Sequence, residues 1–479
     1  MYTYSISGTY TDLYELVMAQ AYFLENRHQT PAVFDYFFRK LPFDGGYVVF
    51  AGLHELLEVL EDWTFSESDI AYLQESLHLH PAFLDYLRQF HFTGNVYACR
   101  EGEVVFPYEP VVRVEAPILE AQILETLLLN ILNFQSLIAT KAARIRYVSG
   151  EKSLSEFGFR RAQGLAGIMT ARAAVIGGFQ STSNVYAGER YGIPVVGTMA
   201  HAFVQSYASE VEAFRAFARH HPQGCIFLVD TYDTLHSGIP NAITVAKEME
   251  QQGRQALGIR LDSGDLAYLS RRARVMLDEA GLSYMKIAVS NQLDEYLIRS
   301  LREQGAPIDI FGVGTKLAIG HPDAVLDGVY KLCEINHVPT IKLSESLTKM
   351  NLPGKKQVFR ILHNDGQFLG ADVITRDDEQ ETEIDVMYHP FEPGKFKKIK
   401  GYAREPLLFP VMKNGSRITA APSLNAIAAY ARERLQQLPP EYKRFEFPHV
   451  YKVGLSEKLL HLRDQLRAQY QTSWLNHDT

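Results

Sequence analysis

Two short stretches of the chain bring carboxylates to the ends of apolar runs. Ile226-Phe-Leu-Val-Asp230-Thr231-Tyr232-Asp233 supplies two carboxylates and a hydroxyl, and Gly258-Ile-Arg260-Leu-Asp262-Ser263-Gly264-Asp265 follows one strand-helix unit later. Carboxylates at neighbouring strand ends can hold Mg²⁺ and sugar hydroxyls, and Arg260 offers a fork of donors to a carboxylate or phosphate. Asp and Ser also begin helices routinely, so capping is the alternative for either stretch alone. A third stretch, Gly312-Val-Gly314-Thr315-Lys316, lacks Walker A spacing; it is either a tight turn or a set of backbone N–H groups that cradles a phosphate. His201, in Gly197-Thr198-Met-Ala-His201, is open to three readings: general base, phosphate-accepting nucleophile or capped helix residue. Phe157-Gly-Phe159-Arg160-Arg161 sets aromatics beside two guanidinium groups. That suits a flat aromatic acid, although core aromatics with surface arginines would look the same. His220-His221 reads as a surface pair, and no cluster has zinc spacing.

The elements that must position these groups show in the apolar rhythm. From Ser153 onward, short apolar runs alternate with helical segments: 154–159, 178–181, 195–198, 225–230, 257–261, 286–290 and 309–314. Such repeats predict parallel strands with crossover helices, hence an α/β barrel or a doubly wound sheet. Polar residues and glycines collect at the C-terminal ends of the runs, which favours a barrel with its site at one mouth. Before this region the sequence predicts a helix over 10–24, which Thr11-Asp12 could cap, and a strand at Ala32–Phe38. Strands at 104–106 and 111–114 precede a long apolar helix over 120–147 that links two domains. After Gly320, runs at 329–335, 340–343 and 356–361 read as strands rejoining the N-terminal sheet. Asp377–Glu383 reads as a solvated acidic loop, and the tail from Ser423 as a helical appendage. The expected divisions are an N-terminal α/β domain with its linking helix (1–148), a catalytic α/β barrel (149–325), returning strands (326–415) and a helical C-terminal extension (416–479).

Composition bounds the function. The 479 residues carry 48 Lys+Arg and 56 Asp+Glu, so the net charge is 48 − 56 = −8. With no dense basic block, the chain lacks the face that a dedicated nucleic-acid binder needs. Cys99, Cys225 and Cys333 are far apart, which disfavours a disulfide framework or a cysteine zinc site and suits a reducing cytoplasm. The first residues resemble no secretory leader, and no run of 18 apolar residues occurs. A cytoplasmic protein that neither spans nor binds a membrane is expected.

Taken together, the motifs resemble those of nicotinate phosphoribosyltransferases. The residues that carry the likeness are Tyr10-Thr-Asp12-Leu-Tyr14, Phe157-Gly-Phe-Arg160-Arg, Ser181-Thr-Ser-Asn184-Val and Gly197-Thr198-Met-Ala-His201, followed by Val229-Asp230-Thr-Tyr-Asp233-Thr and Arg260-Leu-Asp262-Ser-Gly-Asp265. Phe311-Gly-Val-Gly-Thr315, Lys342-Leu-Ser344 and Pro353-Gly354-Lys355 complete the set, in the family's order over about 350 residues. The resemblance implies an irregular type II phosphoribosyltransferase barrel with a discontinuous N-terminal α/β domain. It also implies a homodimer with shared active sites. The implied reaction, the entry step of NAD salvage, converts nicotinate, phosphoribosyl pyrophosphate and ATP to nicotinate mononucleotide, pyrophosphate, ADP and phosphate. It is formally a ligase reaction and needs Mg²⁺. In the family the histidine of Thr-Met-Ala-His is phosphorylated by ATP, which selects His201 here.

Residue roles follow from the same resemblance and from the chemistry of a departing pyrophosphate. Asp230, Asp233 and Asp262 are expected at ribose hydroxyls, in the Mg²⁺ shell or orienting His201, with Ser263 and Gly264 beside the phosphoribosyl group. Gly312, Gly314 and Thr315 are expected to hold the 5′-phosphate. Arg260, Thr198 and Phe159 should surround nicotinate, with Tyr14 stacking from the other subunit and Arg160 reaching nicotinate or phosphate. The related nicotinamide enzyme has an aspartate where this chain has Asn184. A carboxylate facing the substrate carboxylate would cost several kcal/mol at about 4 Å and a dielectric of about 20, so Asn184 suits the acid. A nicotinamide-using enzyme without ATP coupling is thereby disfavoured. A catalytically silent barrel would have lost His201, Asp262 or Arg260, and all three are present. Some relatives carry a cysteine-rich zinc segment at the C-terminus, and no cysteine follows Cys333 here.

Overall fold

The computed structural model describes residues 6–343 and 350–475. The chain divides into two compact units, Met1–Leu137 with Val325–Thr479 and Ile138–Ala324, and the first boundary falls inside helix Glu125–Ser149.

The second unit is built on a parallel sheet. Its strands are β1 (Ser153–Glu156), β2 (Ser181–Thr182), β3 (Ile226–Leu228), β4 (Gly258–Leu261), β5 (Lys286–Ser290) and β6 (Ile310–Val313), in the order β2-β1-β6-β5-β4-β3. A bridge between Thr182 and Val195 adds a seventh segment beside β2. The six strands and this segment fall on the seven apolar runs, because strands covered on both faces read as near-continuous apolar sequence. Among the described residues the ladder ends at β3, so no continuous ladder closes the sheet on itself. Crossover helices lie over the sheet with apolar stripes inward; helix Leu266–Glu279 buries Leu266, Ala267, Ser270, Ala273 and Leu277. Register aligns the strand ends: Arg260 lies opposite Leu228 and Ala288, Ser290 opposite Gly312, and Glu156 opposite Val313 and Thr182. All the polar strand ends therefore emerge on one edge of the sheet.

The first unit holds two larger sheets. One has seven strands, with Pro31–Phe38 between Gly328–Ile335 and Val112–Pro117, all pairings antiparallel. All of Pro31–Phe38 after the proline is buried, including Asp35, whose carboxylate pairs with the buried Lys356 ammonium at 2.9 Å. The second sheet has six strands in the order 396–398, 386–388, 452–455, 368–376, 356–362 and 403–406. Helix Leu13–Leu24 starts at Asp12, but the Asp12 side chain does not cap it and instead accepts from Thr126 Oγ1 at 2.9 Å.

Three expectations for this unit need correction. Lys356–Leu362 does not rejoin the N-terminal sheet; it pairs with Phe368–Arg376 and Ala403–Pro406. Thr340–Leu343 forms no strand, since the preceding hairpin ends at Pro339. The tail is not purely helical: Lys452–Leu455 lies inside the second sheet, parallel to Phe368–Arg376. A four-residue strand gives too short a pattern to stand out between two charged helices.

Candidate active site

The polar residues on the strand-end edge of the second unit form one connected cluster. Arg260, on β4, donates from Nη1 to Thr198 Oγ1 at 2.8 Å, from Nη2 to Asp262 Oδ1 at 3.0 Å and from Nε to Ser290 Oγ at 2.9 Å. A guanidinium has five N–H groups, so these three bonds leave two, one on each terminal nitrogen. Asp262 also accepts from the Ser290 hydroxyl. Its backbone N–H donates to Asp230 Oδ2 at 2.8 Å, where Ser263 Oγ donates at 2.6 Å. The other oxygen, Asp230 Oδ1, is buried and has no partner among the described residues.

His201 is the first residue of helix His201–Gln205. Its Nδ1 lies 3.1 Å from Thr231 Oγ1, and its Nε2 lies 3.9 Å from Asp262 Oδ2. One ring nitrogen thus faces a hydroxyl and the other a carboxylate. The loop carrying Asp230 and Thr231 passes close to its own strand: a Cβ on Gly238 would lie 1.8 Å from Val229 O, so only glycine fits.

Phe157, rather than Phe159, is the aromatic of the cluster. The Arg260 guanidinium lies 6.0 Å from the Phe157 ring centre. A Cβ on Gly312 would approach that ring to 2.4 Å, and one on Gly314 would lie 3.0 Å from Phe157 O. Gly312 leaves room for the Phe157 ring and Gly314 packs tightly on the Phe157 carbonyl, and Thr315 opens the four-residue helix that follows. Phe159 belongs to an exposed turn with Arg160, and its ring covers Gly167. Beneath Phe157, Glu156 is fully buried and accepts from Thr182 Oγ1 at 2.6 Å and from Gly158 N; burial pushes its carboxyl up. Next to the cluster, a cavity of about 320 Å³ is lined by Asp262–Asp265, Ser290, Asn291 and Gln292 among others.

Three other candidates turn out to be helix caps. Asp233 accepts from Leu235 N at 3.1 Å and His236 N at 2.8 Å, and these bonds with His236 hold its carboxyl below the usual range. Asp265 accepts from Tyr268 N at 3.0 Å. Asn184 is fully buried; it accepts from Ala187 N at 3.1 Å and donates from Nδ2 to Gly167 O at 3.1 Å. Asn184→Asp keeps the cap but loses that donor and turns a buried carboxylate towards a carbonyl. The expected cost is about 2–3 kcal/mol, or roughly 5–10 °C in the melting of the second unit. A melting scan beside nicotinate and nicotinamide kinetics checks this: a changed substrate ratio at unchanged melting would mean that Asn184 acts on the substrate and not on the fold.

Glu156 carries little signal in the sequence, and for Thr231 and Ser290 the sequence shows a hydroxyl at a strand end but not its partner. The Thr231–His201 and Ser290–Arg260 contacts each join residues 30 positions apart, and such pairings exist only once the loops are folded and the strands are in register.

Residues 9–133, 152–365 and 355–463 match, in turn, the N-terminal domain, the family region and the C-terminal domain described for nicotinate phosphoribosyltransferase. The nicotinate phosphoribosyltransferase of Bacillus subtilis is 48% identical over 455 residues, covering 94% of this chain and 92% of the relative. The chain belongs to the nicotinate phosphoribosyltransferase family. The Dictyostelium discoideum member is 38% identical and covers 94% of this chain and 86% of its own length. The solved structure of human nicotinic acid phosphoribosyltransferase superposes with a TM-score of 0.85 at 32% identity, over 95% of this chain and 99% of that one. A nicotinate-nucleotide pyrophosphorylase from Pyrococcus furiosus gives a TM-score of 0.70 at 26% identity, over 91% and 99% of the two chains.

Of the residues that carry nicotinate phosphoribosyltransferase motifs, the second unit brings His201, Asp230, Asp262, Ser263, Arg260 and Thr198 into one hydrogen-bonded cluster or its direct neighbourhood. Tyr14 lies in the first unit, about half exposed (48%) on helix Leu13–Leu24; burial and the charges of Glu125 and Glu15 push its hydroxyl up. Lys342, Gly354 and Lys355 belong to the first unit too, and Ser344 lies outside the described residues. Among the described residues no group of three or more His, Cys, Asp or Glu side chains could hold a metal ion, and no helix is long and apolar enough to cross a membrane.

Proposed function

We propose that this protein transfers phosphoribose from phosphoribosyl pyrophosphate to nicotinate with ATP coupling, as a cytoplasmic enzyme of NAD salvage with a type II phosphoribosyltransferase barrel. The observation that carries the substrate is the Arg260 guanidinium. Three neighbours fix its plane, and one N–H remains on each terminal nitrogen beside the Phe157 ring. A planar carboxylate takes two parallel charge-assisted bonds from such a fork, and an aromatic ring attached to it packs on phenylalanine. Nicotinate has both parts. Phe157 replaces Phe159 in this role, because Phe159 covers Gly167 instead.

The pyridine nitrogen attacks the anomeric carbon as pyrophosphate departs, through an oxocarbenium-like ribose that the Asp230 and Asp262 carboxylates stabilise. The cavity beside Ser263 and Gly264 takes the phosphoribosyl group, and the backbone at Gly312, Gly314 and Thr315 its 5′-phosphate. Asp230 Oδ1, buried without a partner, suits a ribose hydroxyl or the shell of a magnesium ion carried in by the pyrophosphate. Mg²⁺ is commonly held by one or two carboxylates plus substrate phosphates, and Asp230 could supply such a carboxylate. When bound, it neutralises the leaving group. His201 accepts the phosphoryl group of ATP, releasing ADP, and its later hydrolysis yields phosphate. Asp262 stabilises the charged ring. A homodimer supplies Tyr14 of the partner subunit to complete each site.

Mononucleotide formation is to be measured from nicotinate and phosphoribosyl pyrophosphate with and without ATP. Wild type should be stimulated by ATP, and His201→Ala should keep the slow basal reaction without stimulation. Stimulation that survives in His201→Ala would overturn the phosphohistidine step. Wild type making no product from nicotinate would overturn the function.

A further inference from the structure

We infer that Ser290 is a positioning residue that couples the carboxylate fork of Arg260 to the orientation of His201. The inference rests on the function proposed above. Ser290 ends strand β5, lies in register with Gly312 and is 4% exposed. A hydroxyl carries one donor and two acceptor sites. Here the acceptor receives Arg260 Nε at 2.9 Å and the donor goes to Asp262 Oδ1. Arg260 Nη2 reaches the same Oδ1 at 3.0 Å, so serine, arginine and aspartate close a three-membered ring of hydrogen bonds. The ring has two consequences. It fixes the guanidinium plane through Nε, and with it the plane in which the two remaining N–H groups lie. It also commits Asp262 Oδ1, which leaves Oδ2 facing His201 Nε2 at 3.9 Å.

One hydroxyl therefore holds both the group that receives nicotinate and the group beside the phosphoryl acceptor. Without it, Arg260 keeps its charge but loses one of three anchors, and Asp262 keeps its charge but can turn away from His201. A residue that served packing alone would not link these two properties.

The test compares wild type with Ser290→Ala and Ser290→Thr, reading the KM for nicotinate, the ratio of rates with and without ATP, and the melting temperature. Ser290→Ala is expected to raise the nicotinate KM about 10-fold and to lower the ATP stimulation about 10-fold, as loss of a hydrogen bond to charged groups does. Ser290→Thr keeps the hydroxyl and should return both to within about 3-fold of wild type. Wild-type KM and stimulation in Ser290→Ala overturn the inference, as do equal losses in the two variants, which would signify packing. If Ser290→Ala fails to fold, Ser290→Cys preserves volume with a weak donor; the inference then requires intermediate losses in both readouts, and wild-type values overturn it. Failure of the underlying function looks different, since wild type itself would then make no mononucleotide from nicotinate.

Discussion

Arg260→Ala is expected to lower kcat/KM for nicotinate about 1,000-fold while leaving the fold intact. Two charge-assisted hydrogen bonds to the substrate carboxylate disappear, each worth about 1.5–3 kcal/mol, and a loss near 4 kcal/mol corresponds to roughly three powers of ten. Arg260→Lys should recover little of this. An ammonium has no planar fork and cannot bond Thr198, Asp262 and Ser290 while offering two parallel donors. The fold tolerates the change because Asp262 retains the Ser290 hydroxyl, and its N–H remains bonded to Asp230 at 2.8 Å. Steady-state kinetics over a range of nicotinate concentrations, beside a melting scan, decide the matter. A nicotinate KM within about 3-fold of wild type in Arg260→Ala would remove Arg260 from substrate recognition, since even one such bond is worth more than that.

The parallel unit was legible in the sequence because buried parallel strands are written as continuous apolar runs, with crossover helices between them. Even the isolated bridge at Val195 falls on a run. The sheets of the first unit were less legible for a topological reason. Lys356–Leu362 looks like a strand and is one, but its partners lie at 368–376 and 403–406, and nothing local distinguishes them from the N-terminal sheet. The same limit applied to the site. Asp230, Asp233, Asp262 and Asp265 all follow apolar runs, yet two of them cap helix starts and two build the cluster. Aspartate suits both tasks, and only the direction of the side chain separates them. The two phenylalanines around Gly158 pose the same difficulty, two residues apart with opposite surroundings. What spacing did convey was the edge of the sheet on which the chemistry lies.

The largest stability effect is expected in the first unit, at Arg360. Its guanidinium is fully buried, donates from Nη1 to Glu103, from Nη2 to Asp372 Oδ2 at 2.8 Å and to Val104 O at 2.6 Å, and lies 4.3 Å from the Phe368 ring centre. Arg434 Nε also reaches Glu103 at 2.9 Å, and Tyr451, just before the tail's strand, donates to Asp372 at 2.8 Å. Arg360 thus ties the second sheet to the segment at Glu103–Val104, and it shares its two carboxylates with Arg434 and Tyr451 of the tail. Burial pushes the Glu103 carboxyl up, but Arg360 and Arg434 outweigh it and hold the group below its ordinary range. Burial and the Asp372 charge push the neighbouring Glu109 well above its ordinary range. Arg360→Met fills much of the volume but removes the cation from two buried carboxylates, which should cost about 3–5 kcal/mol in urea unfolding at neutral pH. The exposed pair Lys458–Glu383 provides the contrast, since solvent screens it and Lys458→Met is expected to leave the unfolding curve unchanged. The sign of the pH dependence follows. In Arg360→Met, Glu103 loses the larger of the two charges that hold its pKa down while burial still pushes it up, so the folded state binds a proton more readily there and the penalty is absent well below the group's unfolded pKa. The deficit should then widen as pH rises through about 4 towards 8. Unfolding curves at pH 5 and 8 test this directly. A deficit that is equal at both pH values would mean that the variant loses packing alone, and one below about 1 kcal/mol at pH 8 would mean that Arg434 suffices to hold Glu103 and that Asp372 needs no cation.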